Sequence, residues 1–340
     1  MRSQGAMMHK PTLRAVALII VAWLVFAANR PISLGDDSKK SEPPVAAKVG
    51  DEPVYVAEVD DLIARTRAAR RGESEAPPEL RAEALEQAIH RRLVAQLLAK
   101  QGYAVSKDDT DGLVDDLKHR LEAQNLSLDD FLQRHSFSPT ILRRQLSWEL
   151  MWGRYLENEL TDAALEKYFE DHRRDYDGTE LRVSHILFRV KDPTDNDAVA
   201  EVERQAAQVR QQIAAGKLSF ADAAAKYSSG PSRRHDGDLG FIPRYDRMTE
   251  TFSRAAFQLQ PDEISGPVTD QFGVHLIFCT AEKPGAKTWQ DVRRALAEAW
   301  TSQRFLELAE KQRKQTRVEY TDAVPLYDPK THALVPAAGD

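Results

Sequence analysis

The stretch that decides the fold is Leu181-Arg182-Val183-Ser184-His185-Ile186-Leu187-Phe188. It is mostly apolar and contains neither glycine nor proline, which is typical of a strand that lies inside a sheet. A second mostly apolar run, Phe272–Phe278, follows later in the chain and also predicts a strand. The two runs therefore predict paired strands that open and close one module, between Leu181 and Cys279.

The segment between the two strands has the periodicity of an amphipathic helix. Its apolar residues recur every three or four positions and so form one helical face that would pack on a sheet. These residues are Val199, Val202, Ala206, Val209 and Ile213. Gly216 ends this helix, and Ser219 is placed to cap a second helix over 220–226. Helices between paired strands predict an α+β module.

Short motifs follow one another along this module. In chain order they are Ser184–Leu187, Tyr227-Ser228, Gly237–Gly240, Met248 with Phe252, and Phe272–His275. Each motif is weak alone, but their order resembles the parvulin family of peptidyl-prolyl cis/trans isomerases, also called rotamases. The resemblance implies a four-stranded antiparallel sheet surrounded by helices.

The resemblance also implies the residues of the site. His185 and His275 match a pair of histidines on adjacent strands, which hydrogen-bond within the site and orient it. The proline pocket is implied at Leu239, Met248, Phe252 and Phe272. Because Met248 and Phe252 are four residues apart, we expect them on one face of a helix. The alternative for these apolar residues is ordinary core packing.

Two other interpretations of the histidines are weaker. A metal pair lacks a third ligand in the sequence. A hydrolase dyad of Ser184 with His185 is disfavoured because neighbouring residues on a strand point to opposite faces. Isomerisation of an X-Pro bond makes and breaks no covalent bond, so we expect no cofactor and no metal.

Three positions depart from the parvulin pattern. Gly230 stands where Asp or Cys is usual, Asp236 where Gly is usual, and Asp270 where Ser or Thr is common. The missing acid or thiol at 230 makes a peptide-binding holdase without isomerase activity an alternative function. The acidic loop at 192–197 argues against a phosphorylated substrate.

The beginning of the chain predicts export. Basic residues precede an apolar run at 15–28, which is shorter than the roughly 20 residues that a spanning helix needs. We interpret residues 1–44 as a signal peptide with a linker, or as a membrane anchor with a linker. No cysteine follows the apolar run, which excludes a lipoprotein. The folded part is then expected in the periplasm or cell envelope, and a membrane-anchored scaffold is a third possible function.

Residues 45–173 predict a mostly helical domain. Leu85, Ile89 and Leu93 form one helical stripe, and Ser106, Ser127 and Ser138 are each placed to cap a helix. Its opening, 47–54, resembles exported chaperones of the SurA/PrsA type. The stripes could be core or could line a groove for unfolded, proline-containing polypeptides. We expect the pairs Arg91-Arg92 and Arg143-Arg144 on solvated faces.

The remaining boundaries complete the expected organisation. The parvulin domain is expected over 178–283, followed by a C-terminal helix over 287–320 and a tail over 321–340. The resemblance implies that the C-terminal helix packs on the helical domain, so that the parvulin domain is an insertion in it. The chain has 340 residues, a formal net charge of −6 and one cysteine, Cys279. These values indicate no nucleic-acid partner, allow no intrachain disulfide, and favour a buried thiol.

Overall fold

The computed structural model describes residues 43–70, 78–192, 195–324, 326–328 and 333–335. The predicted signal or anchor at 15–28 and part of the predicted tail lie outside these residues. Within these ranges, no helix is long and apolar enough to cross a membrane.

The described residues form two compact units. The first unit runs to Thr161 and resumes at Thr301, and the second unit spans Asp162–Trp300. The chain thus leaves the first unit, builds the second, and returns to the first. This is the inserted α+β arrangement that the sequence predicts, and it is confirmed.

The first unit combines helices with a small sheet. Its strands are β1 (Val45–Val49), β2 (Glu52–Tyr55) and, after the second unit, β7 (Val318–Tyr320). They pair in the order β2-β1-β7, and both pairings are antiparallel. Its helices are α1 (Val56–Arg70), α2 (Pro78–Leu98), α3 (Lys107–Glu122), α4 (Leu128–Arg134) and α5 (Pro139–Glu159). Two further strands, β8 (Leu326–Asp328) and β9 (Ala333–Val335), pair with each other.

The predicted caps begin these helices. Ser106 and Ser127 each accept a hydrogen bond from the backbone N–H of the third helical residue. The carboxylates of Asp109 and Asp130 each accept one from the backbone N–H of the cap, which completes a capping box. Ser138 caps α5, whose first residue is proline.

Two apolar clusters form the core of the first unit. One joins the small sheet to α1 and α2 and includes Leu85, Ile89 and Leu93. The other joins α3, α4 and α5 around Phe131. The helical stripe at Leu85, Ile89 and Leu93 is therefore core.

The prediction of a solvated arginine pair on α2 is wrong for Arg92, whereas Arg91 is partly exposed. The Arg92 side chain is only 7% exposed, because it bonds Glu52 and Glu58 at the base of the unit's first helix. Charge alone predicted a surface position. Carboxylates from a strand and a helix that are distant in the sequence offset the desolvation cost of burying the guanidinium. Arg143 does lie at the surface, paired with Asp111.

The second unit is built on the sheet that the sequence predicts. Its strands are β3 (Glu180–Phe188), β4 (Asp238–Pro243), β5 (Val268–Asp270) and β6 (Gly273–Lys283). They pair antiparallel in the order β4-β3-β6-β5, so the two predicted strands are the central ones. Its helices are α6 (Asp162–Asp171), α7 (Arg173–Tyr176), α8 (Asn196–Ala214), α9 (Phe220–Tyr227) and α10 (Glu250–Phe257). A final helix, α11 (Arg293–Arg313), begins in this unit.

The central strands separate two apolar layers. Ile186 and Phe188 face one layer, which α8 and α9 cover with Ala206, Val209 and Phe220. Leu181 and Val183 face the other layer, which includes Phe252 and Ala256 of α10. Because side chains alternate along a strand, His185 belongs to the second layer, beside α10. Cys279 is buried in that layer as expected.

Candidate functional site

The two histidines lie side by side on the central strands. In the β3–β6 register, His185 is opposite Ile277 and His275 is opposite Leu187. Both rings are nearly buried, and their Nδ1 atoms are 3.3 Å apart. The rings are stacked at 20° between planes. The sheet therefore brings together the pair that the sequence predicts.

Asp270 fixes the protonation of His275. Its Oδ1 lies 2.9 Å from Nε2 of His275. A carboxylate only accepts hydrogen bonds, so Nε2 of His275 carries a proton. Asp270 also accepts from the backbone N–H of Phe272 and from the hydroxyl of Thr249, each at 2.8 Å. Burial raises the pKa of Asp270, but these hydrogen bonds outweigh it and hold the pKa below its usual value.

A chain of hydrogen bonds therefore runs from Asp270 through His275 to His185. One of the two Nδ1 atoms carries a proton and donates it to the other, since a contact between two unprotonated nitrogens would be repulsive. Burial, and then the neighbouring His275, lowers the pKa of His185 to about 4. His185 is thus neutral at physiological pH.

The chain of hydrogen bonds ends at Nε2 of His185. This buried atom has no hydrogen-bond partner among the described residues. A Cβ at position 230 would lie 3.1 Å from it, so the side chain that Gly230 lacks would fill this place. Gly230 has φ −74° and ψ 155°, values that any residue adopts. The backbone therefore does not require glycine at this position, and a side chain here would be in close contact with His185.

Neighbouring motifs position β3 and its histidine. The hydroxyl of Ser228 accepts hydrogen bonds from the backbone N–H groups of Leu187 and Gly230. Gly237 packs directly on β3, where a Cβ would lie 2.5 Å from the carbonyl oxygen of His185. The Tyr-Ser and Gly-Asp-Leu-Gly motifs thus hold the strand that carries His185.

Phe252 joins the histidines to an apolar surface. Its ring meets both histidine rings edge to face, at centroid distances of 5.9 Å for His185 and 5.3 Å for His275. Phe252 is buried, whereas Leu239 and Met248 are partly exposed against the same cluster. These three predicted pocket residues therefore come together beside the histidine pair.

Two details of the predicted pocket differ. Met248 is not on the helix of Phe252, because α10 begins at Glu250 after its cap, Thr249. A capping threonine ends the helical pattern between them, so the prediction of one helical face is wrong. Phe272 is 59% exposed and lies outside the cluster of Phe252. Its backbone, rather than its ring, contacts the site through Asp270.

The sequence reasoning did not place two polar groups of the site. Asp270 was recognised only as a departure from a family pattern, and Thr249 was not recognised at all. The spacing of Asp270 and His275, five residues apart across the tight turn between β5 and β6, carries the signal for their contact. In the part of the chain that the structure describes, no group of three His, Cys, Asp or Glu side chains could hold a metal ion.

Comparison with protein families finds two matches. Residues 185–281 match the rotamase family, described as the PPIC-type PPIase domain. Residues 7–156 match the SurA-like N-terminal domain. The first match contains both histidines, and the second contains most of the first unit.

Curated relatives match longer stretches. The foldase protein PrsA of Bacillus subtilis is 29% identical over 194 residues, which is 56% of this chain and 59% of that protein. The chaperone SurA of Xylella fastidiosa is 25% identical over 285 residues, which is 79% of this chain and 59% of that protein. The chain therefore spans less than two thirds of the length of these relatives. A crystal structure of the PrsA peptidylprolyl isomerase from Bacillus anthracis aligns with 68% of this chain and 96% of its own, with 22% identity and a TM-score of 0.35.

Proposed function

We propose that this chain, which carries a PPIC-type PPIase domain and a SurA-like N-terminal domain, is a peptidyl-prolyl cis/trans isomerase and a chaperone for exported proteins. One observation carries the proposal. A buried histidine pair, anchored by Asp270, lies against Phe252 at the edge of a partly exposed apolar surface.

The barrier to X-Pro isomerisation comes from amide resonance and is about 18–20 kcal/mol. A catalyst lowers it by binding the twisted peptide better than the planar one, and a thousandfold acceleration needs only about 4 kcal/mol. In our proposal the proline ring packs on Leu239, Met248 and Phe252. This contact removes water from the preceding carbonyl group, which weakens the resonance of the bond.

The histidines act as positioning residues in this proposal. Their nitrogen atoms are buried, and their rings pack against Phe252. The chain from Asp270 to His185 keeps both rings in one orientation, which holds the wall of the pocket rigid. Phe272, exposed at the rim, is proposed to contact residues of the substrate beside the proline.

The partners are unfolded or extended polypeptides that contain proline. The names of the relatives, a foldase and a chaperone, support this proposal. We place the protein outside the cytoplasm, in the periplasm or cell envelope, and assign residues 1–44 to a signal peptide or membrane anchor with its linker. We further propose the domain limits 45–173, 178–283 and 287–320, with a tail over 321–340.

A second candidate function rests on Gly230. Without a side chain at this position, the hydrogen-bond chain stops at His185. A site that lacks this group could bind proline-containing peptides without accelerating isomerisation, and the protein would then be a holdase.

Isomerisation of an Ala-Xaa-Pro-Phe peptide series by the full chain tests the proposal. We expect acceleration by the natural sequence and a loss of about 5- to 10-fold in kcat/KM for Met248→Ala, since that change removes apolar contact area. His185→Ala should lower the rate further. Leu306→Ala, which truncates an exposed leucine of α11, is the matched control and should change nothing.

Gly230→Asp and Gly230→Asn separate the two candidate functions. If the missing acid limits catalysis, the aspartate variant is faster than the asparagine variant, which has the same size without the charge. If the folded protein accelerates no peptide of the series, the isomerase proposal fails and the holdase remains.

A further inference from the structure

The first unit contains a cavity of about 280 Å³ between α2 and α5. One face of α2 lines it, with residues spaced by three and four positions as a helical face requires. These residues are Ala88, Arg91, Arg92, Ala95 and Gln96, and Ala99, which follows directly after α2, also lines the cavity. We call this space the arginine cavity.

The composition of this face explains why the cavity exists. Ala88, Ala95 and Ala99 are too small to fill the space towards α5, where Trp148 and Met151 form the opposite wall. Leucine at these alanine positions would close such a gap in an ordinary core. Small residues and large apolar ones thus leave a space with an apolar wall.

The carboxylates that line the arginine cavity are already neutralised. Glu58 bonds Arg92 at 2.9 Å and lies 3.8 Å from Arg144. Glu52 bonds Arg92 at 3.2 Å and also accepts from Gln96 at 3.1 Å. Two glutamates therefore pair with two of the three arginines, Arg92 and Arg144.

The third guanidinium is different. Arg91 makes no hydrogen bond or salt bridge with the residues that the structure describes. Burial lowers its pKa, and the carboxylates of Glu149, Asp61 and Glu58 oppose that effect. The adjacent Arg92 is nine-tenths buried, and its Nε also lacks a partner in the described structure. Arg91 itself is partly exposed. A buried donor without a partner, as at Nε of Arg92, is uncommon in proteins.

We propose that the arginine cavity binds a carboxylate group of an extended polypeptide, with Arg91 as its principal ligand. A guanidinium presents paired N–H donors that match a carboxylate in shape and charge. A carboxylate would supply the acceptor that Arg91 lacks, and the apolar wall at Trp148 and Met151 would contact an aromatic or aliphatic side chain next to it.

The volume limits what can enter. Ligand pockets for small molecules typically measure about 300–1,000 Å³, so the volume of this cavity lies just below that range. It suits one or two side chains or a chain terminus, not a folded surface. The inference rests on the proposed chaperone function and adds a preference for acidic segments that contain apolar residues.

Calorimetric titration of the full chain with unlabelled peptides tests the inference. One pair is acetyl-Gly-Ser-Phe-Glu-Phe-Ser-Gly-amide and its Gln analogue, which compare an acidic side chain with its neutral isostere. A second pair, acetyl-Gly-Ser-Phe-Gln-Phe as free acid and as amide, compares a chain terminus with its neutral form. We expect the acidic member of at least one pair to bind about 10- to 100-fold more tightly, the range for a charge-assisted hydrogen bond. The pair that discriminates identifies the source of the carboxylate.

Variants locate the effect. Arg91→Gln should abolish the discrimination, and Arg91→Lys, which keeps the charge without the fork, should retain part of it. Arg143→Gln is the matched control, because it removes an arginine that is exposed and paired with Asp111 outside the cavity. This control should discriminate as the natural protein does.

A measurement on the unmutated protein covers the case in which a variant misfolds. The acidic peptide should protect Arg91 from phenylglyoxal, as read by mass spectrometry, while Arg143 remains reactive. Equal binding of acidic and neutral peptides, or discrimination that persists in folded Arg91→Gln, overturns the inference and leaves the chaperone proposal intact. Failure to bind any peptide or any unfolded protein overturns both.

Discussion

The histidine pair and the arginine cavity both bury polar groups, but they complete their hydrogen bonds differently. In the second unit, Asp270, His275 and His185 bond one another, and Thr249 and the backbone of Phe272 occupy the remaining acceptors of the carboxylate. In the first unit, the acids bond Arg92 and leave the guanidinium of Arg91 without a partner.

The difference indicates what each region can receive. A hydrogen-bond network that is nearly complete offers a rigid wall and suits an uncharged group such as a proline ring. An unpaired guanidinium in a partly enclosed space suits an anion.

The largest expected effect tests the rigid wall of the histidine pair. Phe252→Ala removes a ring that is 3% exposed and contacts both histidines. We expect the free energy of unfolding of the second unit to fall by about 3–5 kcal/mol. Urea unfolding followed at the methyl NMR resonances of Val183 and Ile277 measures it.

Phe272→Ala is the matched control for this change. The ring of Phe272 is 59% exposed, so its removal should alter stability by no more than about 0.5 kcal/mol. Similar losses in both variants would contradict the assignment of Phe252, and not Phe272, to the wall.

The second prediction concerns pH. The pKa of His185 falls from its ordinary 6.5 to about 4 in the folded protein, chiefly through burial. Between these values the unfolded chain binds a proton that the folded chain does not, so stability decreases as pH falls. The second unit should lose about 3 kcal/mol from this residue between pH 7 and pH 4. The same urea titration, repeated across this range, measures the loss.

Two variants isolate the contribution of His185. His185→Gln should reduce the slope of the unfolding free energy against pH by the equivalent of about one proton. His235→Gln, which changes an exposed histidine of the same unit, should leave this slope as it is. An unchanged slope in His185→Gln would show that His185 is not held neutral by its surroundings.

The smallest expected effects compare the two regions directly, because one substitution should lower the stability of its unit and the other should raise it. Asp270→Ala leaves the Nε2–H of His275 buried without an acceptor and should destabilise the second unit by about 1–3 kcal/mol. Arg91→Met removes a partly exposed guanidinium and places an apolar side chain in the cavity lined by Trp148 and Met151, so it should stabilise the first unit by up to about 1 kcal/mol.

Hydrogen exchange at the backbone amides of β6 measures the stability of the second unit, and exchange at those of α2 measures the stability of the first. Arg143→Met, at an exposed and paired arginine, controls for the added apolar side chain. A loss of stability in Arg91→Met would mean that Arg91 supports the fold, and the contrast between the two regions would disappear.

Local patterns predicted much of this fold. The serine caps, the helical stripes and the two central strands depend on residues close together in the chain, so spacing alone reveals them. Ordered motifs predicted His185 and His275, and strand alternation explains why both side chains face α10.

Contacts across long sequence distances explain what the sequence did not reveal. Arg92 is buried because Glu52 and Glu58 reach it from β2 and α1, and no local pattern shows this pairing. Met248 has the spacing of a helical neighbour of Phe252, but Thr249 caps the helix after it. The environment of Arg91 depends on how α2 and α5 pack, which composition does not determine.

The pairing of β1 with β7 has a consequence for the order of events on the ribosome. β1 is the central strand of its sheet, and its partner at Val318–Tyr320 is synthesised only after the whole second unit. The second unit, whose strands all lie between Glu180 and Lys283, can complete its own pairings while the first unit still lacks an edge of its sheet. Closing that sheet joins the two distant ends of the described chain, the kind of non-local contact that slows folding. The inserted unit is therefore available in its native form before the unit that hosts it.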